Sequence, residues 1–454
     1  MRWPPRWTPA LLWLLAVPGC DPQLTTINRL DVMFVAQTIT VRVTEGGESA
    51  ALDESSVQLI DALGQTFSPA STVPTLRLDV TRTTPTELSL VVPPGAAPGA
   101  GRLEVKTLKG PAFSSSVTIN RQAAVRDMAG KVWILRLEDA ETTNQYREIR
   151  PTAPANLGTG FGRLSIGSTG RTLASSGRGA SNNQVKLAWL GPQPLVLGSV
   201  ASFLDPVRDV AVTSLDQTLV AYARGTATIA KVNTPSDTLT VSSPLGTGAT
   251  LAVAAARLSP RAAALGQVTT PSPAYVVSQL DLSIGGNSIA GRQTLPWPIS
   301  GNPNPVLLLA ISPGGGNILV LDGENNRGML IRRGQAPRAF TFPNELRGPR
   351  ALSASSGDEL FYAACGGIKP PRLAVLRVQT AGIKFEAPIT LPFTDASGPI
   401  RDVDSSAIDE ILVLAQRDLV RVSLATGKAQ LLALPNLFKD KVKGEEGAAV
   451  ALQP

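Results

Sequence analysis

The sequence predicts an all-β protein: an immunoglobulin-like sandwich followed by a β-propeller of seven blades, closed by a C-terminal strand. Short runs of Val, Ile and Leu bounded by Gly, Pro, Ser, Asp and Asn recur along nearly the whole chain, and long amphipathic helices are scarce. The stretch Pro399 to Pro435 reads as one complete antiparallel sheet. It contains IRDV at 400–403, ILVLAQ at 411–416, LVRVSL at 419–424 and AQLLAL at 429–434, separated by polar turns. Its plan repeats through the C-terminal three-quarters at intervals of about 40 to 55 residues, the range of propeller blades. Four short strands cannot bury both faces alone, but stacked radially they can.

The composition is consistent with two globular units and narrows the chemistry. The chain has 454 residues, 43% hydrophobic and 17% charged. The formal charge of +7 includes Arg2 and Arg6, and the remaining excess is spread without a Lys/Arg block. Nucleic acid is therefore not an expected partner, since its footprint is a concentrated basic patch. There is no histidine, which removes the usual general base, the Ser-His and Cys-His pairs and the commonest transition-metal ligand. No cofactor is implied. The two cysteines are Cys20 and Cys365; with Cys20 assigned to lipidation below, no disulfide framework is possible. Cys365, in the run FYAAC, reads as a small buried hydrophobe rather than a reactive thiol.

Residues 1–20 have a basic start with Arg2 and Arg6, the apolar run ALLWLLAV, and then Pro-Gly-Cys. The run is too short to span a bilayer permanently and has the order of an export signal. The segment Leu15-Ala16-Val17-Pro18-Gly19-Cys20 resembles the bacterial lipobox, in which small residues precede a cysteine that is diacylated and becomes the new N-terminus. The resemblance implies lipidation of Cys20, export, and anchoring to a bacterial membrane on its periplasmic face or at the cell surface. An ordinary secretory signal with a chance cysteine is the alternative. Asp21 resembles the inner-membrane retention residue of enterobacterial lipoproteins, a rule that does not extend to all Gram-negative groups. Residues 21–26 then form a short tether.

From 27 to 120 the runs LDVMFVA, TITVRV, SVQLIDALG, TLRLDVTR, ELSLVVP, GRLEVKTLKG and SSSVTIN give seven strands, the count and spacing of an immunoglobulin-like sandwich. The order of the strand ending in Pro-Pro-Gly-Ala-Ala-Pro-Gly (93–99), a strand, the Gly110 turn and a last strand resembles the IPT/TIG family of immunoglobulin-like domains. In bacterial surface proteins such modules commonly serve as spacers or partner-binding units.

Residues 121–454 hold the repeats, after a junction at 121–126. An apolar strand, a Ser-Pro-Gly-like or Ser-x-Asp-like turn and a second apolar strand begin at Leu164, Val210, Ala255, Leu309, Leu352 and Val403. A seventh blade is implied by KVWILRLED (131–139) and QYREIR (145–150), which lack an inner strand; Gly447 to Leu452 supplies it and closes the ring. The set resembles the broad YVTN/WD40-like propellers, without the Trp-Asp or Gly-His pairs of strict WD40 repeats.

Aligning the blades on their turns places Arg208, Arg350 and Arg401 at the start of the innermost strand, with Arg163 one residue out of register. If they converge, they form a ring suited to carboxylates or phosphates; otherwise each is tied to a neighbour such as Asp209 or Asp402. The run Asp322-Gly-Glu-Asn-Asn326 reads as a hairpin turn rather than a calcium loop. Gly314 to Gly316 reads as a blade turn rather than a phosphate loop, and 437–447 as a solvated connection. Two functions are weighed. The first is a non-catalytic envelope lipoprotein whose propeller docks a protein or ligand, similar in architecture to propeller lipoproteins of outer-membrane β-barrel assembly and to the Tol propeller. The second is a hydrolase of the lactonase kind, with a calcium-type metal at the channel mouth. Starts of inner strands carrying Arg rather than an acidic cluster favour the first.

Overall fold

The computed structural model describes most of residues 23–453. It leaves out 1–22, 27–31, 138–145, 150–162, 177–183, 190–194, 203–206, 223–227, 232–239, 242–248, 269–271, 283–287, 407–409 and 433–445, besides stretches of one to three residues. The export signal, Cys20, Asp21 and most of the 437–447 connection therefore lie outside the described residues. Within them, the protein is all-β, as the sequence predicts: a two-sheet sandwich followed by a seven-bladed propeller.

One sheet of the sandwich has the order Gln23–Thr26, Thr38–Glu45, Glu87–Val91, Asp79–Thr84, with Glu48–Ser49 also paired to Thr38–Glu45. The other runs Val32–Phe34, Ala112–Asn120, Gly99–Thr107, Leu52–Ile60, Thr66–Phe67, and its first pair is parallel. Alternation along the strands puts Met33, Val41, Leu59, Phe67, Leu88, Leu103 and Val105 into one buried core between the sheets. The tether is shorter than the sequence suggested. Gln23–Thr26 pairs with Val41 to Thr44, so the sandwich begins within what reads as a tether. The Pro-Gly loop after Val91 is folded in: Ala96 and Ala97 are buried, and the Ala97 amide donates to Asp61 Oδ2 at 2.9 Å.

Seven further sheets follow among the described residues, each an antiparallel blade. Their inner strands, for blades 1 to 7, are Gly447–Leu452, Leu164–Ile166, Val207–Val212, Ala249–Ala255, Leu307–Ile311, Pro349–Ala354 and Ile400–Ser405. Each adjoins the next around a ring that returns from blade 7 to blade 1. Blade 1 joins the two ends of the propeller, in the order Gly447–Leu452, Gln122–Asp127, Val132–Arg136, Tyr146–Ile149. The closing strand is as expected, with Val450 opposite Val125 and Leu452 opposite Ala123.

The junction at 121–126 is a correction. Gln122–Asp127 is a wholly buried strand, the second of blade 1, and not a connector. Its polar residues hid it, and its contacts reach far along the chain, to the Gln122 backbone N–H as well as to the Arg126 side chain. Gln453 accepts from the Gln122 amide at 2.8 Å and donates through Nε2 to the Gly170 carbonyl at 2.6 Å, while Arg126 donates to the Ser176 carbonyl. Arg121, fully buried, donates to the Ala96 carbonyl at 3.2 Å and lies 3.9 Å from Glu410 of blade 7, so the sandwich loop docks directly on the ring.

Among the described residues, the propeller core is divided between its blades. Apolar clusters fill the spaces between neighbouring blades: Leu135, Leu414 and Leu452 between blades 7 and 1, Tyr362, Val375 and Ile411 between 6 and 7, and Leu265, Val277 and Val320 between 4 and 5. Second strands such as Glu410–Ala415 are buried on both faces, which is why they read as near-continuous Ile, Leu and Val. Burial pushes the Cys365 thiol in blade 6 up to about 12, fitting the inert reading of that residue.

Candidate functional site

All seven inner strands line a central cavity of about 180 Å³. Each inner strand has one edge in its blade's ladder and the other toward a neighbour, so N–H groups on the free edge need acceptors. Side chains supply them. Asp209 Oδ2 in blade 3 accepts from Val253 of blade 4 at 3.0 Å. Asp402 Oδ2 and Asp404 Oδ2 in blade 7 accept from Val450 at 3.1 Å and Leu452 at 2.8 Å of blade 1. Ser165 Oγ in blade 2 accepts from Val212 of blade 3 at 3.0 Å. Asp402 and Asp404 are two apart on one strand and so face the same side.

Two guanidiniums cross this space at two levels. Arg163 lies 3.8 Å from Asp209 Oδ1 and 3.6 Å from Asp402 Oδ1. Arg257 Nη2 donates to Asp404 Oδ1 at 3.0 Å and Nη1 donates to the Ser405 carbonyl; the Ser353 hydroxyl donates to the same Asp404 oxygen at 3.1 Å. Burial raises the Asp209 carboxyl above its ordinary value, opposed by Arg163 and by the Val253 and Val210 amides. Burial likewise pushes Asp402 up to about 6, opposed by Arg163 and two backbone amides, with Asp404 adding to the rise. For Arg163 burial acts downward, but the two carboxylates outweigh it and hold the guanidinium above its ordinary value.

The three aligned arginines do share one structural position. Arg208, Arg350 and Arg401 are each the extra residue of a β-bulge at the start of an inner strand, where the register shifts between Val207 and Asp209, Pro349 and Ala351, and Ile400 and Asp402. Leu251 holds the same place in blade 4. None of the three lines the cavity, whose described cations are Arg163 and Arg257. Arg208 and Arg350 are exposed, and Arg401 lies 3.9 Å from Glu446, just before the closing strand. The bulge therefore separates neighbours: Asp209 and Asp402 turn inward while the arginines before them stay at the rim. The expectation that no acidic cluster lies near the channel is corrected by Asp209, Asp402 and Asp404. Asp404 and Arg257 belong to no site motif of the sequence; the Asp-x-Asp alternation on a buried strand is the signal it carries for Asp404.

The remaining sequence candidates fall into turns. Asp322 Oδ1 accepts from the Glu324 and Asn325 amides, and Oδ2 accepts from Asn325 Nδ2 at 2.8 Å and Arg327 Nε at 2.9 Å, so its carboxylate closes its own hairpin. The Gly314 amide donates to Asp358 Oδ1 at 2.6 Å, tying the blade 5 turn to the corresponding turn of blade 6. Among the described residues no group of three His, Cys, Asp or Glu side chains is placed to hold a metal ion.

The sequence matches no family model, and no curated protein matches it. Solved structures are similar in fold. The Cps50 (Swd1) β-propeller domain of Myceliophteria thermophila is 14% identical over 73% of this chain and 92% of its own, with a TM-score of 0.44. A Lactobacillus plantarum protein is 17% identical over 74% and 100%, at 0.47. An auxiliary nutrient binding protein from Bacteroides thetaiotaomicron is 10% identical over 87% and 95%, at 0.37.

Proposed function

We propose that this protein is a non-catalytic cell-envelope lipoprotein, anchored through acylated Cys20, whose propeller rim docks a protein partner. The sandwich, of the IPT/TIG-like kind, is the spacer next to the membrane. The observation that carries this reading is the rim itself: Arg208, Arg350 and Arg401 repeat at one bulge position in three blades, outside a cavity whose carboxylates are already engaged in blade ties. Guanidiniums at one structural position in blades 3, 6 and 7 of a rigid ring suit carboxylate or phosphate groups of a partner, and such docking weakens as salt rises.

The test is a pull-down from envelope extract with the soluble form beginning at Asp21, comparing wild type with the Arg208→Ala, Arg350→Ala, Arg401→Ala triple variant. A specific partner that is lost from the variant, and from wild type at high salt, supports the rim as the docking face. An unchanged partner set with a less stable variant reduces these arginines to a structural role. Mass spectrometry of the membrane-extracted protein tests the anchor, and an intact Met1 or an unacylated Cys20 overturns it.

A further inference from the structure

The sandwich has two unlike ends. At one, the loop 93–99 docks on the propeller: the Ala96 carbonyl accepts from Arg121, and the Ala97 amide donates to Asp61. The opposite end is built from turns. Thr38–Glu45 runs away from the propeller, since Thr38 lies opposite Val91, just before that loop, and Arg42 lies opposite Glu87. The chain then turns back between Glu45 and Glu48. The Leu52 amide donates to the Pro85 carbonyl at 3.1 Å and the Leu108 amide to the Ala51 carbonyl at 2.9 Å, which gathers the turns at 84–87 and 107–110 at the same far end.

The chain also enters the sandwich there. Gln23 pairs with Thr44, next to the Glu45 turn, and Thr26 with Val41, so Gln23–Thr26 runs from the far end toward the propeller. Cys20 precedes Gln23 by three residues, which reach at most about 11 Å when fully extended. Acyl chains on Cys20 therefore hold the far end of the sandwich at the membrane surface.

That end presents an apolar side chain. Leu108 is 62% exposed in the turn after Gly99–Thr107, a place where polar residues are usual, with exposed Lys109 beside it and Gly110 at a φ of 114° completing the turn. Single exposed leucines are ordinary on a soluble surface, but this one stands at the end nearest Cys20. Lys106 and Lys109, together with Glu45 and Glu48, give the end both signs of charge, as in a layer of zwitterionic headgroups.

We propose that this end of the sandwich rests on the phospholipid headgroups of the membrane that holds Cys20, with Leu108 entering the headgroup layer. The inference rests on the acylation of Cys20. It also sets the outlook of the arginine rim. The sandwich joins the propeller at Arg121, next to the start of Gln122–Asp127, where Ala123 lies opposite Leu452 at the end of an inner strand. Arg208, Arg350 and Arg401 sit where inner strands begin. The rim is thus on the propeller face opposite the sandwich and looks away from the anchoring membrane.

The experiment places the environment-sensitive fluorophore NBD at Leu108→Cys, Leu63→Cys or Arg350→Cys, in a Cys365→Ala background, and reconstitutes the acylated mature chain into phosphatidylcholine vesicles. Leu63 is the control, being 72% exposed beside Asp61 at the propeller end. All three positions are exposed, so labelling leaves the fold intact. Emission from position 108 is expected to shift to the blue on reconstitution and to be quenched by doxyl-labelled phosphatidylcholine, while positions 63 and 350 emit as they do in water. Mass spectrometry of the same samples reports the acyl chains. Acylated protein whose position 108 emits as in water overturns the proposal and leaves the anchor standing. A response at 63 or 350 equal to that at 108 also overturns it, because the molecule then lies on its side. Protein without acyl chains on Cys20 overturns the anchor and the seat together.

Discussion

Shortening Leu452 to alanine tests ring closure at a point where the cost can be worked out. Leu452 is fully buried against Leu412, Leu414 and Leu135, so the missing carbons leave a void between blades 7 and 1. Leu→Ala at such sites costs about 3 kcal/mol, with a range of roughly 2 to 5 kcal/mol. The whole strand contributes more. Ala448, Ala449, Val450, Ala451 and Leu452 are all buried, and at about 0.8 kcal/mol per carbon their side chains represent roughly 8 kcal/mol of apolar burial, an upper figure because unfolded chains are partly compact. That is comparable with the whole net stability of an ordinary folded protein, about 5 to 15 kcal/mol. Deleting 447–454 also strips the N–H partners of Asp402 and Asp404 and bares the edge of Gln122–Asp127. Urea unfolding followed by tryptophan fluorescence measures the point variant, with half-exposed Leu431→Ala as a control expected to cost under about 1 kcal/mol. The deletion should elute as aggregate in size exclusion. A Leu452→Ala midpoint equal to that of Leu431→Ala, or a monomeric deletion protein that unfolds with the full chain, refutes the closure.

Two further outcomes follow from the cavity and the core. Because the folded carboxyl of Asp402 is raised to about 6 from an ordinary 3.8, the folded state holds that proton more tightly than the unfolded chain. Its contribution to stability is therefore greatest below about pH 4, declines by roughly 3 kcal/mol as pH rises to 6, and is flat above. Urea midpoints measured across that window should fall less steeply for Asp402→Asn than for wild type; parallel slopes would contradict the assignment. Cys365, with its thiol at about 12, should react with a thiol reagent at pH 8 about a thousandfold more slowly in the native soluble form than in urea, and equal rates would show that its site opens.

What could be read from the sequence follows what each element depends on. The blades were readable because a short apolar strand, a turn and a second strand carry their own pattern, and the inter-blade packing makes runs such as ILVLA continuously apolar. Gln122–Asp127 was not readable, because Gln122, Arg126 and Asp127 are polar, and Gln122 and Arg126 find partners at Gln453 and Ser176, far away in the chain. Burial of that kind leaves no period in the local sequence.

The cavity turns on a finer matter. Alternation assigns neighbouring residues to opposite faces, but a bulge inserts one residue and changes that parity. In Arg208-Asp209 and Arg401-Asp402 both residues carry charge, so the pattern could not say which member lies inward. The bulges give the inward place to the acids, and the missing counterion comes from Arg163, the one arginine that the alignment left out of step. That mismatch was itself the signal. An arginine that fails the register shared by its counterparts precedes its strand without the bulge, and from there its guanidinium lies 3.8 Å from Asp209 and 3.6 Å from Asp402. The same parity keeps Arg208, Arg350 and Arg401 outside the cavity, so one irregularity of the inner strands separates an acidic interior from a basic rim.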